Sequence, residues 1–183
     1  MQKDLFGKRI KERRPRFEWS LERIEKRSLP VRAERVRWLD RIMPRYQYVG
    51  LPLETYYVFE EAKSSFVYGC FVSSVVLAAA FVEHWLALHL SNRGYSDDVK
   101  RGLDAMVKCC RKNKLINPTL LGRIDKLRKI RNPFVHLKEY EHKFNLGQRL
   151  FKNRSGPDYV LENDAKESLI TMYSVFKHAF KNT

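Results

Sequence analysis

From Phe66 to Val82 the chain carries no charged residue and is mostly apolar, and this run constrains the fold more than any other stretch. Two structures accept such a segment: a membrane span, or a central helix that is apolar all round and buried by other helices. The run is at the short end for a span. It holds or borders Ser64, Ser65, Ser73 and Ser74, and it leads directly into Glu83 and His84. The central helix of a soluble bundle is therefore the expectation, with no membrane association.

The rest of the chain then has to supply helices that cover that one. Pro52 opens a helix expected to run to about Ser65, and the apolar helix follows to about Leu90, closed by Asn92-Arg93-Gly94. Ser96, with Asp97 and Asp98 behind it, reads as the cap of a third helix reaching about Lys112. Asn117-Pro118 starts a fourth, in which Leu120, Ile124, Leu127 and Ile130 recur at helical spacing. Residues 146–161 suggest a small β-hairpin turning at Ser155-Gly156-Pro157. Asp164 and Glu167 resemble a capping box for a last helix, whose buried stripe would be Ala165, Leu169, Met172 or Tyr173, Phe176 and Phe180. The fold class expected is all-α, an antiparallel bundle with a hairpin insertion.

A formal charge of +15, from 36 Lys and Arg against 21 Asp and Glu, favours polyanionic partners. It is unevenly placed. Residues 1–46 hold 15 Lys and Arg against 7 Asp and Glu, so a basic arm (1–46) is set apart from a helical domain (47–183). Two short helices are expected in the arm, Ser20–Lys26 and Pro30–Met43, with Trp19, Val31, Val36, Trp38, Leu39 and Ile42 as docking surface. An RNA-binding arm and a merely solvated charged extension both fit that composition. The N-terminal residues MQKDLFGKRIKERRPRF contain no apolar run, so no signal peptide is expected. Cys70, Cys109 and Cys110 are an odd set without zinc spacing, which reads as reduced thiols in the cytoplasm.

The chemistry concentrates in Arg131-Asn132-Pro133-Phe134-Val135-His136. Positions five apart point about 140° away from each other on one continuous helix, so Arg131 and His136 meet only if the helix breaks. Pro133 is the expected break, with Asn132 as N-cap of a new helix and His136 in its first turn, where free N–H groups suit a phosphate. The plainer reading is that Asn-Pro simply starts a helix, as at Asn117-Pro118. His84 and His89 lie on the apolar helix and read as satisfied core residues. His142 and His178 lie near stretches with no carboxylate or Cys pattern that matches a zinc site. No metal site and no cofactor are expected, since glycine-rich phosphate loops and paired acidic motifs are also missing.

Two separated stretches together resemble the HEPN superfamily of α-helical RNA-binding and RNA-cleaving domains. The hexapeptide 131–136 resembles that family's signature of Arg, a polar residue, three variable residues and His. Residues 61–86 resemble its early helical pair, with Gly69, Phe71, Ala78, Ala79, Ala80 and Glu83 at matching places. The resemblance spans roughly residues 53–181 and leaves the arm outside. It implies a four-helix bundle that forms a homodimer, with both motif copies in one cleft, and metal-independent endoribonuclease activity in toxin–antitoxin or antiviral defence roles. Carried onto this chain, it implies that His136 handles a proton at the ribose 2′-hydroxyl or the leaving oxygen. Arg131 would bind the scissile phosphate, Asn132 would orient the His or bond the phosphate, and Glu83 would fix these side chains. Glu83 equally suits a carboxylate paired with any nearby Arg. In members silenced by a nucleotidyltransferase antitoxin a Tyr follows two residues after the His. Here that place is Lys138, with Tyr140 two residues further along, which departs from the pattern on which that control rests.

Two functions of different classes follow. One is a metal-independent endoribonuclease acting by 2′-hydroxyl attack, with RNA as substrate and an antitoxin or other protein as possible partner. The other is a non-catalytic HEPN-like bundle that binds RNA or protein and uses the motif only structurally.

Overall fold

The structure, a computed structural model, describes residues 16–43 and 51–181. The expected arm–domain boundary at 46/47 and the first fifteen residues of the arm lie outside the described residues, as does the side chain of Phe180. Among the described residues there are eight helices and no strand, so the chain is all-α. They are α1 (Arg16–Ile42), α2 (Leu53–Val67), α3 (Phe71–Ser91), α4 (Ser96–Lys100), α5 (Leu103–Lys112), α6 (Pro118–Val135), α7 (Leu146–Asn153) and α8 (Pro157–Lys181).

The apolar run forms the middle of the molecule. Phe71, Val75, Ala78, Ala79, Phe81, Val82, Trp85, Leu86 and Leu90 of α3 are all buried, and α3 packs against α2, α5, α6 and α8. By length and a mean hydropathy of 1.8 this helix would also pass for a membrane span. Its faces are instead taken by Phe59 and Phe66 of α2, Ile124 and Leu127 of α6, and Leu169, Met172 and Phe176 of α8. Phe59 links two of these partners, 5.3 Å from the Phe81 ring and 5.2 Å from the Phe176 ring. Both Met172 and Tyr173 are buried, which resolves the alternative left open by the stripe.

Five boundaries differ from the sequence expectation, each for a local reason. The arm is one helix through Pro30, not two. An internal proline removes one backbone bond and is expected to cost about 3 kcal/mol. The docking side chains sit mainly beyond it: Leu39 and Met43 are buried and Trp38 and Ile42 half-buried, whereas Trp19, Val31 and Val36 are exposed. Arg35 clamps this part down. Its Nη1 donates to the Val67 carbonyl at 3.3 Å, its guanidinium lies over the Phe71 ring, and Nη2 sits 3.6 Å from Glu162. That close approach needs Gly69, whose φ is +81° and whose place a Cβ would fill 3.0 Å from Arg35 Nη1.

The helix expected from Ser96 to Lys112 is split into α4 and α5. Gly102 takes φ +83°, a positive value that interrupts the helix, and the N-cap of α4 is Tyr95, without a side-chain cap bond, so Ser96 is the first helical residue rather than the cap. The expected hairpin is helical on both sides of its turn: Arg154 ends α7 in the left-handed region and Pro157 begins α8, as suits a first helical residue. Because α8 begins there, Asp164 is interior rather than a cap. It is buried and takes a hydrogen bond from Arg149 Nη2 at 2.6 Å, which pins α7 to α8. The fifth difference, at Pro133, shapes the candidate site.

Candidate functional site

α6 does not break at Pro133. It runs through to Val135, and His136 is its C-cap, with extended backbone at φ −135° and ψ 123°. Asn132 is therefore a helical residue and not an N-cap, and His136 does not lie in a first turn. The proline falls so near the end that less than one turn, Phe134 and Val135, follows it. The His136 N–H still bonds the Asn132 carbonyl at 2.9 Å, and Phe134 packs on the core, which together hold that turn. A departure from the helix does occur, as the five-residue spacing required, but at His136 itself.

That exit places the motif around one cleft of about 500 Å³. Its first wall is α6, which contributes Arg128, Arg131, Asn132 and Val135 at spacings of three, four and seven residues, hence on one face. The second is α3, with Val76, Ala80 and Glu83 likewise on one face, and the small Val76 and Ala80 side chains leave the space open. The third is the break between α4 and α5, where Arg101, Gly102, Leu103 and Asp104 line the rim, and His136 closes the end. All four residues singled out from the sequence, Glu83, Arg131, Asn132 and His136, line this cleft.

Arg131 is the fixed member. Its Nη2 donates to Glu83 Oε2 at 2.8 Å, and its Nη1 lies 3.5 Å from Asn132 Oδ1. The pair is mostly covered, with side-chain exposures of 17% for Arg131 and 30% for Glu83. His136 is exposed, and its ring makes no hydrogen bond among the described residues. An oriented guanidinium thus stands beside an imidazole that is open to a ligand.

Arg128, Arg101 and Asp104 were not foreseen. Arg128 is legible in hindsight, three residues before Arg131 and so on its face, but the other two depend on the bend at Gly102. Arg128 bonds Asp125 at 2.8 Å and Asp104 at 3.0 Å. Asp104 also accepts from Lys108 at 2.6 Å, and this bond, ahead of the Arg128 charge, holds its carboxyl below the usual range. Burial alone would raise Asp125, but bonds from Lys129 and Arg128 outweigh it and lower the group. The rim is therefore a network of paired charges carrying three arginines against Glu83 and Asp104. The first turn of α5 adds backbone N–H groups without intrahelical acceptors, the anion-binding feature that the sequence had placed at Asn132.

The remaining histidines have structural partners. His84 Nδ1 is 3.2 Å from Thr55 Oγ1 in a hydrogen bond, and His89 stacks on Trp85 with ring centroids 4.8 Å apart. Among the described residues no group of three or more His, Cys, Asp or Glu side chains is placed to hold a metal ion. Cys70, Cys109 and Cys110 are free thiols, and burial pushes Cys110 up to about 11. No family model, no curated protein and no solved structure matches the chain.

Proposed function

We propose that the chain is a metal-independent endoribonuclease of the HEPN type, built on an antiparallel four-helix bundle and acting in the cytoplasm as a homodimer. The observation that carries this reading is the Arg131–Glu83 ion pair at 2.8 Å in a cleft that Asn132 and His136, whose ring has no hydrogen bond among the described residues, also line. His136 removes the proton of a ribose 2′-hydroxyl or supplies one to the departing 5′-oxygen. The 2′-oxygen bonds to phosphorus as the P–O5′ bond breaks, giving a 2′,3′-cyclic phosphate and a 5′-hydroxyl. Arg131 offers its planar fork to the phosphate oxygens, whose charge grows in the transition state. Glu83 holds that fork in place, and Asn132 adds an amide beside it. The +15 charge supports an RNA substrate, and a toxin or antiviral role with a protein inhibitor is the biological setting proposed.

One observation favours a second reading, an RNA- or protein-binding bundle without catalysis. Arg131 already has partners in Glu83 and Asn132, as a purely structural arginine would. RNA cleavage in the presence of EDTA, comparing the wild type with His136→Ala, separates the two. A positioned acid–base group contributes about 10²–10⁴-fold, and a loss of that order is expected. Wild-type cleavage by a folded His136→Ala protein would leave the binding reading.

A further inference from the structure

The chain leaving His136 carries two large apolar side chains into solvent. Leu137 is fully exposed, and Tyr140 is 87% exposed. A tyrosine this bare on a wandering loop would say little, but this loop is tied down. Asn145 Nδ2 donates to the carbonyls of Glu139 at 2.7 Å and Tyr140 at 3.2 Å, and Gln148 Nε2 reaches the Tyr140 carbonyl at 3.3 Å. The His142 N–H bonds Glu139 O, and the Asn145 N–H bonds His142 O. Side-chain amides of Asn145 and Gln148, bonded to the Tyr140 carbonyl, thus fix its backbone while its ring is left uncovered.

Resting on the reading above, we infer that Tyr140 is a stacking platform for an unpaired nucleobase next to the phosphate held in the Arg131–His136 cleft. Three features favour a base over a phosphate or a protein. The loop's charges, Lys138, Glu139, Glu141 and Lys143, cancel, so it offers no net attraction to the backbone, whereas the cleft carries the arginines. An aromatic face suits any base, because every base has a π-face to stack on it. Four residues of extended chain span at most about 14 Å, which keeps Tyr140 within one or two nucleotides of His136. A stacked base must be free of its complement, so the substrate class is single-stranded RNA or a loop.

The test uses an RNA that the wild type cleaves, with the cut position mapped. Tyr140→Ala should raise KM about tenfold or more, while Tyr140→Phe and Tyr140→Trp, which keep a ring, stay near the wild type. An abasic site at the nucleotide that stacks should cost the wild type the same factor and cost Tyr140→Ala nothing further. If the wild type cleaves nothing, anisotropy with a fluorescent oligouridine 10-mer still decides the matter. Tyr140→Ala should then weaken binding of the single strand and leave binding of a blunt duplex unchanged. An unchanged KM and affinity in Tyr140→Ala would overturn the inference. So would an equal loss on the abasic RNA, or a shift in sedimentation showing that Tyr140 joins two copies of the chain.

Discussion

Glu83 and Arg131, separated by 48 positions in the chain, meet at 2.8 Å across the α3–α6 contact, and both side chains are more than two-thirds covered. The pair sits at the only point where the apolar central helix presents a carboxylate to the motif helix, because Val76 and Ala80 on the same face are small and uncharged. Glu83→Gln keeps the shape and removes the charge, so activity should fall while the fold is retained. Glu83→Ala should also cost about 1–3 kcal/mol of stability, since Arg131 is left partly buried without its acceptor. Arg131→Lys should be as inactive as Arg131→Ala, because a point charge cannot hold Glu83 and two phosphate oxygens together. RNA cleavage and urea unfolding of the same four proteins would check both statements.

Arg149 and Asp164 are a second covered pair, with side-chain exposures of 15% and 8%, and they are incompletely satisfied. Asp164 Oδ2 and Arg149 Nη1 are buried without hydrogen-bond partners among the described residues. Asp164→Ala should destabilise by about 3 kcal/mol, because it strands a buried guanidinium. Replacing both residues by apolar ones of similar size should be neutral or stabilising. Burial holds the Asp164 carboxyl above its usual range despite the Arg149 bond. The folded protein therefore binds this proton more readily than the unfolded chain does. The contribution of Asp164 to stability is largest below the ordinary carboxylate value and falls as pH rises through the raised one. Asp164→Asn should flatten that acid-side slope in urea titrations.

Much of this architecture was legible because one strong signal, the apolar run ending at Glu83, dictates what surrounds it. The stripes of α6 and α8 follow from helical periodicity, and the grouping of Arg131, Asn132 and His136 follows from their spacing once a helix exit is required, whereas Glu83, on α3, joins them only through the family resemblance. Proline and glycine were read less well. In the sequence Pro30 and Pro133 read as breaks, yet both are helical, because docking and last-turn bonds outweigh the loss of a single N–H. Gly102 was passed over, although its positive φ creates the α4–α5 bend that brings Arg101 and Asp104 to the cleft. The segment read as a hairpin contains Arg149, whose partner Asp164 lies fifteen residues away in what looked like a cap. Local pattern cannot distinguish a capping carboxylate from a buried ion pair, since the difference lies in a tertiary contact.

His89 gives the protein a stability that depends on pH in the opposite sense to Asp164. Burial first, then the Arg93 charge and His178, lower its pKa to about 4, against a smaller raising effect of a hydrogen bond to the Leu115 backbone. In the unfolded chain the imidazole protonates near 6.5. Its contribution is therefore complete above pH 6.5 and is lost as pH falls from there to about 4. Allowing for partial solvent screening, about 1 kcal/mol should disappear across that window. His89→Phe retains the stack on Trp85 and removes the proton, so its urea midpoint should change less between pH 7 and pH 5 than that of the wild type.

The final prediction concerns assembly, and it follows from the single imidazole in the cleft. In-line cleavage needs one group to take the 2′-hydroxyl proton and another to protonate the 5′-oxygen on the opposite side of phosphorus. His136 stands at one end of the cleft, exposed, where the chain leaves α6, and no second histidine lines the site. A twofold partner would bring a second His136 and a second Arg131 to the same phosphate, and twofold contacts are the commonest route to a homo-oligomer. Neither His136→Ala nor Arg131→Ala should cleave RNA alone. Mixed after co-refolding, the two should regain a small part of the wild-type rate, because the heterodimer has one imidazole for one of the two proton transfers, leaving the other to water, and one guanidinium at the phosphate, whereas each variant homodimer lacks one of the two groups entirely. Recovery should rise with the fraction of mixed dimer, measured by mass spectrometry of differently tagged chains. A wild type that is monomeric by light scattering at the assay concentration, yet fully active, would refute the composite site.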